Sequence, residues 1–443
     1  MNGNPAVLLL SVAALSAAQS PDEIWTRCKD SASEMSVSAC STIIRDPRVS
    51  NADLATAVTY RGIANLKKGL VDRAIQDFDQ AIRLKPDMDL AFANRASAYA
   101  AGRQFDHAME DYDSAIRLRP DSAAIYYARG NLNRDQHQPD RALRDYDQAL
   151  RLQPNFPDAL NDRGGVYLGT GQYDRAIADY DQAIRQRPGF SAAFSNRGNA
   201  WAGKNDFDRA IADYDQAIHL QPLPGALYGR GNAYRSKGEF ERSIRDFDEA
   251  IRLTPAPAGY YFRGSAHASL GQFDRALEDF DQAIQLQPGD PRILLGRGRA
   301  KFYLLRWNDA AADFERSLSL NPTDAYALLW LHLARLRAAQ NDARVLAQQA
   351  GKLDSTKWPG PVVDMFLGKL TAAQTLAAAV STDAAKEKEQ RCEAEFYIAE
   401  SLLSGPDAQG ALAHFQAARG LCPAIYVEFE GASAELRRLE KVQ

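Results

Sequence analysis

The chain has 443 residues, a formal charge of −4 and 25% charged residues, with acids and bases mixed along its length. That balance excludes a basic nucleic-acid-binding tract. The six histidines are scattered, and His107, His219 and His267 stand where sister segments carry other residues, so they read as drift rather than metal ligands.

Pro5 to Ala18, PAVLLLSVAALSAA, is an apolar run of 14 residues, too short to span a bilayer core of roughly 30 Å at about 1.5 Å per residue. It reads as a signal peptide over residues 1–18, with Ser16-Ala17-Ala18 as the small residues before cleavage. The preceding MNGNP lacks the usual Lys or Arg, as expected if translation starts upstream. No cysteine follows the cleavage site, which argues against lipid attachment there. Residues 19–54 read as a helical hairpin with a turn at Asp30 to Ser33. Cys28 and Cys40 flank that turn, and Cys392 and Cys422 form a second pair near the far end. An even count in two separated pairs suits disulfides and an oxidising, periplasmic or secreted location, free buried thiols being the alternative. Each bridge would add roughly 3 kcal/mol by restricting the unfolded chain.

From residue 55 to residue 324 the chain repeats itself. Prolines close successive segments at Pro86, Pro120, Pro154, Pro188, Pro222, Pro255, Pro288 and Pro322, at spacings of 34 or 33 residues. The segment Ser191 to Pro222 carries Phe194 at its position 4, Gly198 at 8, Trp201 at 11, Ala210 at 20, Tyr214 at 24, Ala217 at 27 and Pro222 at 32. This period and pattern resemble the tetratricopeptide repeat, eight copies of which cover about 60% of the chain. The resemblance implies an all-α fold, a right-handed superhelical solenoid of antiparallel helix pairs.

Within each repeat the second helix opens near an aspartate: Asp72, Asp106, Asp140, Asp174, Asp208 and Asp274. A side-chain oxygen at that point is expected to cap unpaired amides and to complement the helix dipole. Apolar positions such as Ala176, Tyr180, Ala183 and Ile184 form a stripe that packs on the first helix. One departure from the family pattern recurs in all eight repeats. Position 7 is arginine (Arg61, Arg95, Arg129, Arg163, Arg197, Arg230, Arg263, Arg297), and position 23 is aspartate (Asp77, Asp111, Asp145, Asp179, Asp213, Asp246, Asp279, Asp313). The two are expected to pair between the helices and to be structural, not a ligand-binding ladder. Acidic neighbours such as Asp179 and Asp181 recur in nearly every repeat and read as helix surface, not as a catalytic pair.

In the resembled family a peptide groove is lined from the first helix. The corresponding residues here are Asn94, Tyr127, Asn131, Arg134, Asn161, Asn196, Asn199, Tyr228, Asn232, Arg235, Tyr261 and Arg299. Asparagines can hold a peptide backbone through both donor and acceptor, and tyrosines add apolar contact area. The lysine by which some family members clamp a C-terminal carboxylate is absent at position 5, which argues against that ligand.

After Pro322 the pattern decays. Residues 325–360 read as a degenerate ninth repeat, with Leu331 and His332 in place of the Arg-Gly pair. Residues 361–390 read as a short helix and polar link after the break at Trp358-Pro359-Gly360-Pro361. Residues 391–424 read as a terminal repeat that brings Cys392 and Cys422 to one end of a helix pair, and 425–443 as a capping helix over the exposed end. This layout resembles a bacterial outer-membrane lipoprotein that scaffolds cell-wall hydrolases, although the attachment cysteine is missing. Phosphate loops, nucleophile motifs and metal-ligand spacings do not occur. The expected function is a non-catalytic scaffold in the cell envelope, without cofactor or metal, that holds a protein or peptide segment in its groove. No nucleic acid and no membrane span in the mature chain are expected. An adaptor for peptidoglycan or its hydrolases, with groove tyrosines stacked on sugars, is the alternative. Intact mass under non-reducing conditions tests the cysteine reading: the expected result is a loss of two hydrogens per bridge relative to the reduced chain, and an unchanged mass contradicts it.

Overall fold

The computed structural model describes residues 20–30, 35–403 and 408–440; the expected signal segment, and the expected turn beyond Asp30, lie outside them. Among the described residues there are 25 helices and no strand. None of these helices is long and apolar enough to cross a membrane. The chain forms two compact parts, Met1–Thr170 and Gly171–Gln443.

The first part opens with α1 (Pro21–Lys29) and α2 (Ser36–Arg45). Ser20 and Glu23 form a capping box at the start of α1. The sulfurs of Cys28 and Cys40 lie 2.10 Å apart, fully buried beside Trp25 and Ile43. Three helix pairs follow: α3 (Asn51–Lys67) with α4 (Val71–Leu84), α5 (Asp89–Ala101) with α6 (Phe105–Leu118), and α7 (Ala123–Asp135) with α8 (Pro139–Leu152). The part closes on α9 (Pro157–Gly169).

The second part begins with α10 (Tyr173–Gln186) and continues in pairs: α11 (Ser191–Gly203) with α12 (Phe207–Leu220), α13 (Pro224–Ser236) with α14 (Phe240–Leu253), α15 (Pro257–Ser269) with α16 (Phe273–Leu286), and α17 (Pro291–Tyr303) with α18 (Trp307–Leu320). Beyond them lie α19 (Ala325–Arg337), α20 (Ala343–Ala350), α21 (Gly360–Phe366), α22 (Ala372–Ala378), α23 (Ala384–Leu403), α24 (Ala408–Leu421) and α25 (Val427–Glu440).

Each pair closes over a small local core. In α11 and α12, Ala210, Tyr214 and Ala217 are buried, with Phe194 and Trp201 packed against them. The Tyr214 ring lies so close to the first helix that a Cβ on Gly198 would stand 2.8 Å from it, so glycine fits there, although the second repeat holds Ala96 at the same position. At the ninth pair that position is His332, and the closely apposed ring is gone. His332 instead bonds Asp342 at 2.9 Å and stacks edge-on against Phe366. The helix that follows, α20, has only 8 residues.

The expected capping by aspartate is corrected. The second helices start one residue earlier, at Val71, Phe105, Pro139, Tyr173, Phe207 and Phe273, which leaves the aspartates inside the first turn. At α4, α6, α8, α10 and α16 no side-chain cap bond forms. At α12 it comes from Asp206, which accepts the Arg209 amide at 3.1 Å. The cause is the turn, in which a left-handed residue such as Arg103, Asn205 or Gly238 is followed by one residue that is neither helical nor extended, such as Gln104, Asp206 or Glu239, and takes the cap position. The aspartates therefore act on the helix dipole by charge alone.

The position-7 arginines do more than pair within their repeats. Arg197 donates from Nε and Nη2 to both oxygens of Asp213, at 2.8 and 2.6 Å, and from Nη1 to Asp181 on α10 at 2.5 Å. The same fork joins Arg95 to Asp111 and Asp79 and Arg129 to Asp145 and Asp113. In the second part it joins Arg230 to Asp246 and Asp215, Arg263 to Asp279 and Asp248, and Arg297 to Asp313 and Asp281. One carboxylate belongs to the arginine's own repeat, and the other to the repeat before it. The aspartates read as bare helix surface are thus the second arm of the fork. Its bidentate half is the planar geometry that only a guanidinium supplies.

The fork generates a graded expectation. Arg197→Ala strands Asp213, which is only 6% exposed, and should cost about 3 kcal/mol. Arg197→Lys should recover part of that, because an ammonium cannot serve both carboxylates. Asp181→Asn, on a side chain 38% exposed, should cost less than about 1 kcal/mol. Urea denaturation of the three variants checks the order.

Candidate functional site

With the position-7 arginines turned inward, the first helices offer their remaining polar face. In the first part the predicted residues there bond mostly to neighbours outside the predicted set, three of them to Asp162. The Tyr127 hydroxyl donates to Asp162 at 2.7 Å, Arg134 pairs with Asp135 at 3.0 Å and Asp162 at 3.5 Å, and Asn161 donates to Asp162 at 3.1 Å. Asp162 thus gathers three of the predicted residues from α7 and α9, although the sequence reading passed over it. Asn94 is half-buried and donates to the Leu90 carbonyl one turn back at 2.7 Å. Asn131 accepts the Tyr146 hydroxyl at 2.7 Å.

In the second part the predicted residues fall into three environments. Asn199 is exposed and accepts the Tyr214 hydroxyl at 2.7 Å, while Asn196 is half-buried on the same helix. Tyr228, Asn232 and Arg235 share one face of α13, four and three residues apart. Tyr261 packs edge-on against Phe262. The asparagines are therefore not equivalent: Asn131 and Asn199 each hold a tyrosine hydroxyl that reaches across from the second helix, and Asn232 does not.

Arg299 lies beneath the chain's own C-terminal helix. The final segment, which the sequence suggests as a cover for the exposed end, lies along the first helices of the seventh and eighth repeats. A Cβ on Gly431 of α25 would collide with the Tyr303 hydroxyl on α17 and with the Phe396 ring. Gly271, which closes α15, lies against the Arg437 guanidinium. This covered zone belongs to the largest core of the molecule, which joins Phe302, Phe314, Trp330, Phe396, Phe415 and Leu436. The sulfurs of Cys392 and Cys422, 2.01 Å apart, clamp the middle of α23 to the residue just past α24 behind it.

The contact is acidic. Glu393, Glu400, Glu428, Glu430 and Glu435 are all buried. Glu393 accepts the Tyr326 hydroxyl at 2.9 Å and the Trp358 indole N–H at 2.6 Å. Arg337 pairs with Glu400 at 2.7 Å and reaches Glu435 at 3.5 Å. Burial pushes Glu428 up to about 8, helped by neighbouring Glu393 and opposed by Arg299. Burial also pushes Glu430 up to about 7 against the pull of Arg299 and Arg437, and it raises Glu400 against the pull of Arg337. No spacing rule in the sequence marks these glutamates, which come together only through the return of α25. Among the described residues no group of histidine, cysteine and carboxylate side chains is arranged to hold a metal ion.

Residues 127–189, 166–226 and 228–291 match the family described as tetratricopeptide repeat, and residues 97–137 match the TPR repeat family. No curated protein matches. Similar solved structures include a tetratricopeptide repeat protein from Parabacteroides merdae ATCC 43184, 21% identical with a TM-score of 0.46, covering 56% of this chain and 98% of its own. Pseudomonas aeruginosa pilF is 17% identical with a TM-score of 0.42, covering 46% and 94%. A thermophilic TPR protein of Thermus thermophilus is 19% identical with a TM-score of 0.35, covering 41% and 100%.

The raised glutamates set a pH dependence. A carboxyl whose folded pKa exceeds its ordinary 4.5 binds its proton more tightly when docked. Its contribution is therefore full below about pH 4.5 and is lost as pH rises through about 7 to 8. Hydrogen exchange of α25 should accordingly show stronger protection at pH 5.5 than at pH 9, after correction for intrinsic rates. Glu428→Gln should flatten that difference.

Proposed function

This chain is a tetratricopeptide repeat protein, and on that premise we propose that it is a non-catalytic scaffold that holds a segment of a partner protein along its first-helix face. One observation carries the reading. The strongest ionic groups of the repeats are spent between helices in the arginine forks, whereas half-buried and exposed asparagines and tyrosines remain on successive first helices. Asparagine side chains there can take the place of neighbouring strands for a peptide backbone. The cell envelope is the proposed location. It is supported by two cysteine pairs at bonding distance, which suit an oxidising compartment, and by the apolar N-terminal segment of the sequence.

The test compares two kinds of groove variant. Asn94→Ala and Asn232→Ala remove groove polarity without stranding a buried hydroxyl and should leave stability within about 0.5 kcal/mol. Together they should weaken capture of partners from a periplasmic extract. Asn199→Ala should also cost about 1 kcal/mol of stability, because Tyr214 loses its acceptor. Undiminished capture by the Asn94/Asn232 double variant contradicts the reading, and sedimentation with purified peptidoglycan instead of protein would transfer it to the cell wall.

A further inference from the structure

The covered and uncovered stretches of the first-helix face differ in one respect. Where α25 lies on the face, each cation meets acid: Arg299 is within the field of Glu428 and Glu430, and Arg337 pairs with Glu400 and Glu435. One repeat upstream, on α13, the cation is unanswered. Arg235 Nε is shut off from solvent with no acceptor, as Arg299 Nε also is, and so are the Tyr228 hydroxyl and Asn232 Oδ1 on the same face; what sets Arg235 apart is that no carboxylate acts on it. The Arg235 guanidinium lies over the Phe262 ring at 6.0 Å, and burial draws its pKa down with no carboxylate to restore it. Arg235 is half-buried, and a partly desolvated guanidinium without a counter-ion is poorly compensated.

The chain itself indicates what belongs there. The stretch leading into α25 brings Ala424 to within van der Waals reach of Gly238, just past the end of α13. The Arg235 position therefore continues the surface that α25 occupies. On that surface the occupant is an acidic segment with an aromatic residue between its acids, Glu428-Phe429-Glu430.

We propose that Arg235, flanked by Tyr228, Asn232 and Tyr261, is an anchoring site for a glutamate or aspartate side chain of a partner segment that carries a neighbouring aromatic residue. The carboxylate would supply the missing counter-ion, and the aromatic residue would meet Tyr261 and Phe262. This inference rests on the scaffold reading and narrows it to a partner chemistry.

A displayed library of random 12-residue peptides, selected on the full-length protein, separates the two. The expected outcome is enrichment of peptides with one acidic position beside an aromatic one. The Arg235→Gln protein should still enrich peptides but lose the acidic preference. For the best peptide, replacing its acid by the amide and replacing Arg235 by Gln should each weaken binding roughly ten- to hundredfold, and the two together no further. Peptides enriched without an acidic position overturn the anchoring site and leave the scaffold reading standing; no enrichment of any peptide overturns both. Thermal melting gives an independent check. Arg235→Gln should melt at the same temperature as the natural chain or higher, since an unanswered charge has been removed. A clear fall would make Arg235 a structural residue and overturn the proposal.

Discussion

The structure depends on an arginine that, in six of the repeats, answers two carboxylates at once. Hydrophobic contact between the two helices of a repeat is small, an aromatic ring and a few alanines against a glycine, and such a pair buries too little to stand alone. The guanidinium adds a connection that packing does not. Its two forked bonds fix the second helix of its own repeat, and its third fixes the helix before it. Because the aspartate of its own repeat is almost fully buried while the other stays partly exposed, the fork is firm within a repeat and softer between repeats. Where the pattern decays at the ninth repeat, the fork is replaced: Arg335, one turn further along α19, pairs with Glu315 of the preceding repeat.

Consuming the arginines in this way decides what remains on the face proposed for recognition. A face that had to neutralise eight exposed guanidinium groups would attract any polyanion, whereas a face of asparagines and tyrosines discriminates by hydrogen bonding and shape. In the first part that face is largely satisfied by its own Asp162. In the second it is partly covered by α25, whose buried glutamates make the cover responsive to protonation near neutral pH. Disulfide geometry at Cys392 and Cys422 holds the helices behind that cover in place.

Much of this was legible in the residues. The 34-residue period, Gly198 against Tyr214 and the recurrence of Arg197 with Asp213 all follow from local rules that repeat, and repetition separates a rule from an accident. The second arm of the fork was visible as a recurring Asp181 but was misread as solvated surface, because spacing along one chain does not say which neighbouring repeat a side chain reaches. The cap was misplaced by one residue for a similar reason: the left-handed turn residue shifts where the helix begins. The path of α25 was not legible at all. Its contacts with Tyr303 and Gly271 join segments more than 100 residues apart with no periodic signature, and the acidic cluster exists only once they meet.

The most direct test of this account is a double-mutant cycle across one inter-repeat arm, Arg230→Ala with Asp215→Ala, measured by urea denaturation beside the intra-repeat cycle of Arg230→Ala with Asp246→Ala. If one arginine ties neighbouring repeats together, both cycles show coupling: about 0.5 to 1 kcal/mol for the partly exposed Asp215 and about 3 kcal/mol for the buried Asp246. Strict additivity of Arg230 and Asp215 would show that the repeats are held by apolar packing alone and would contradict the account.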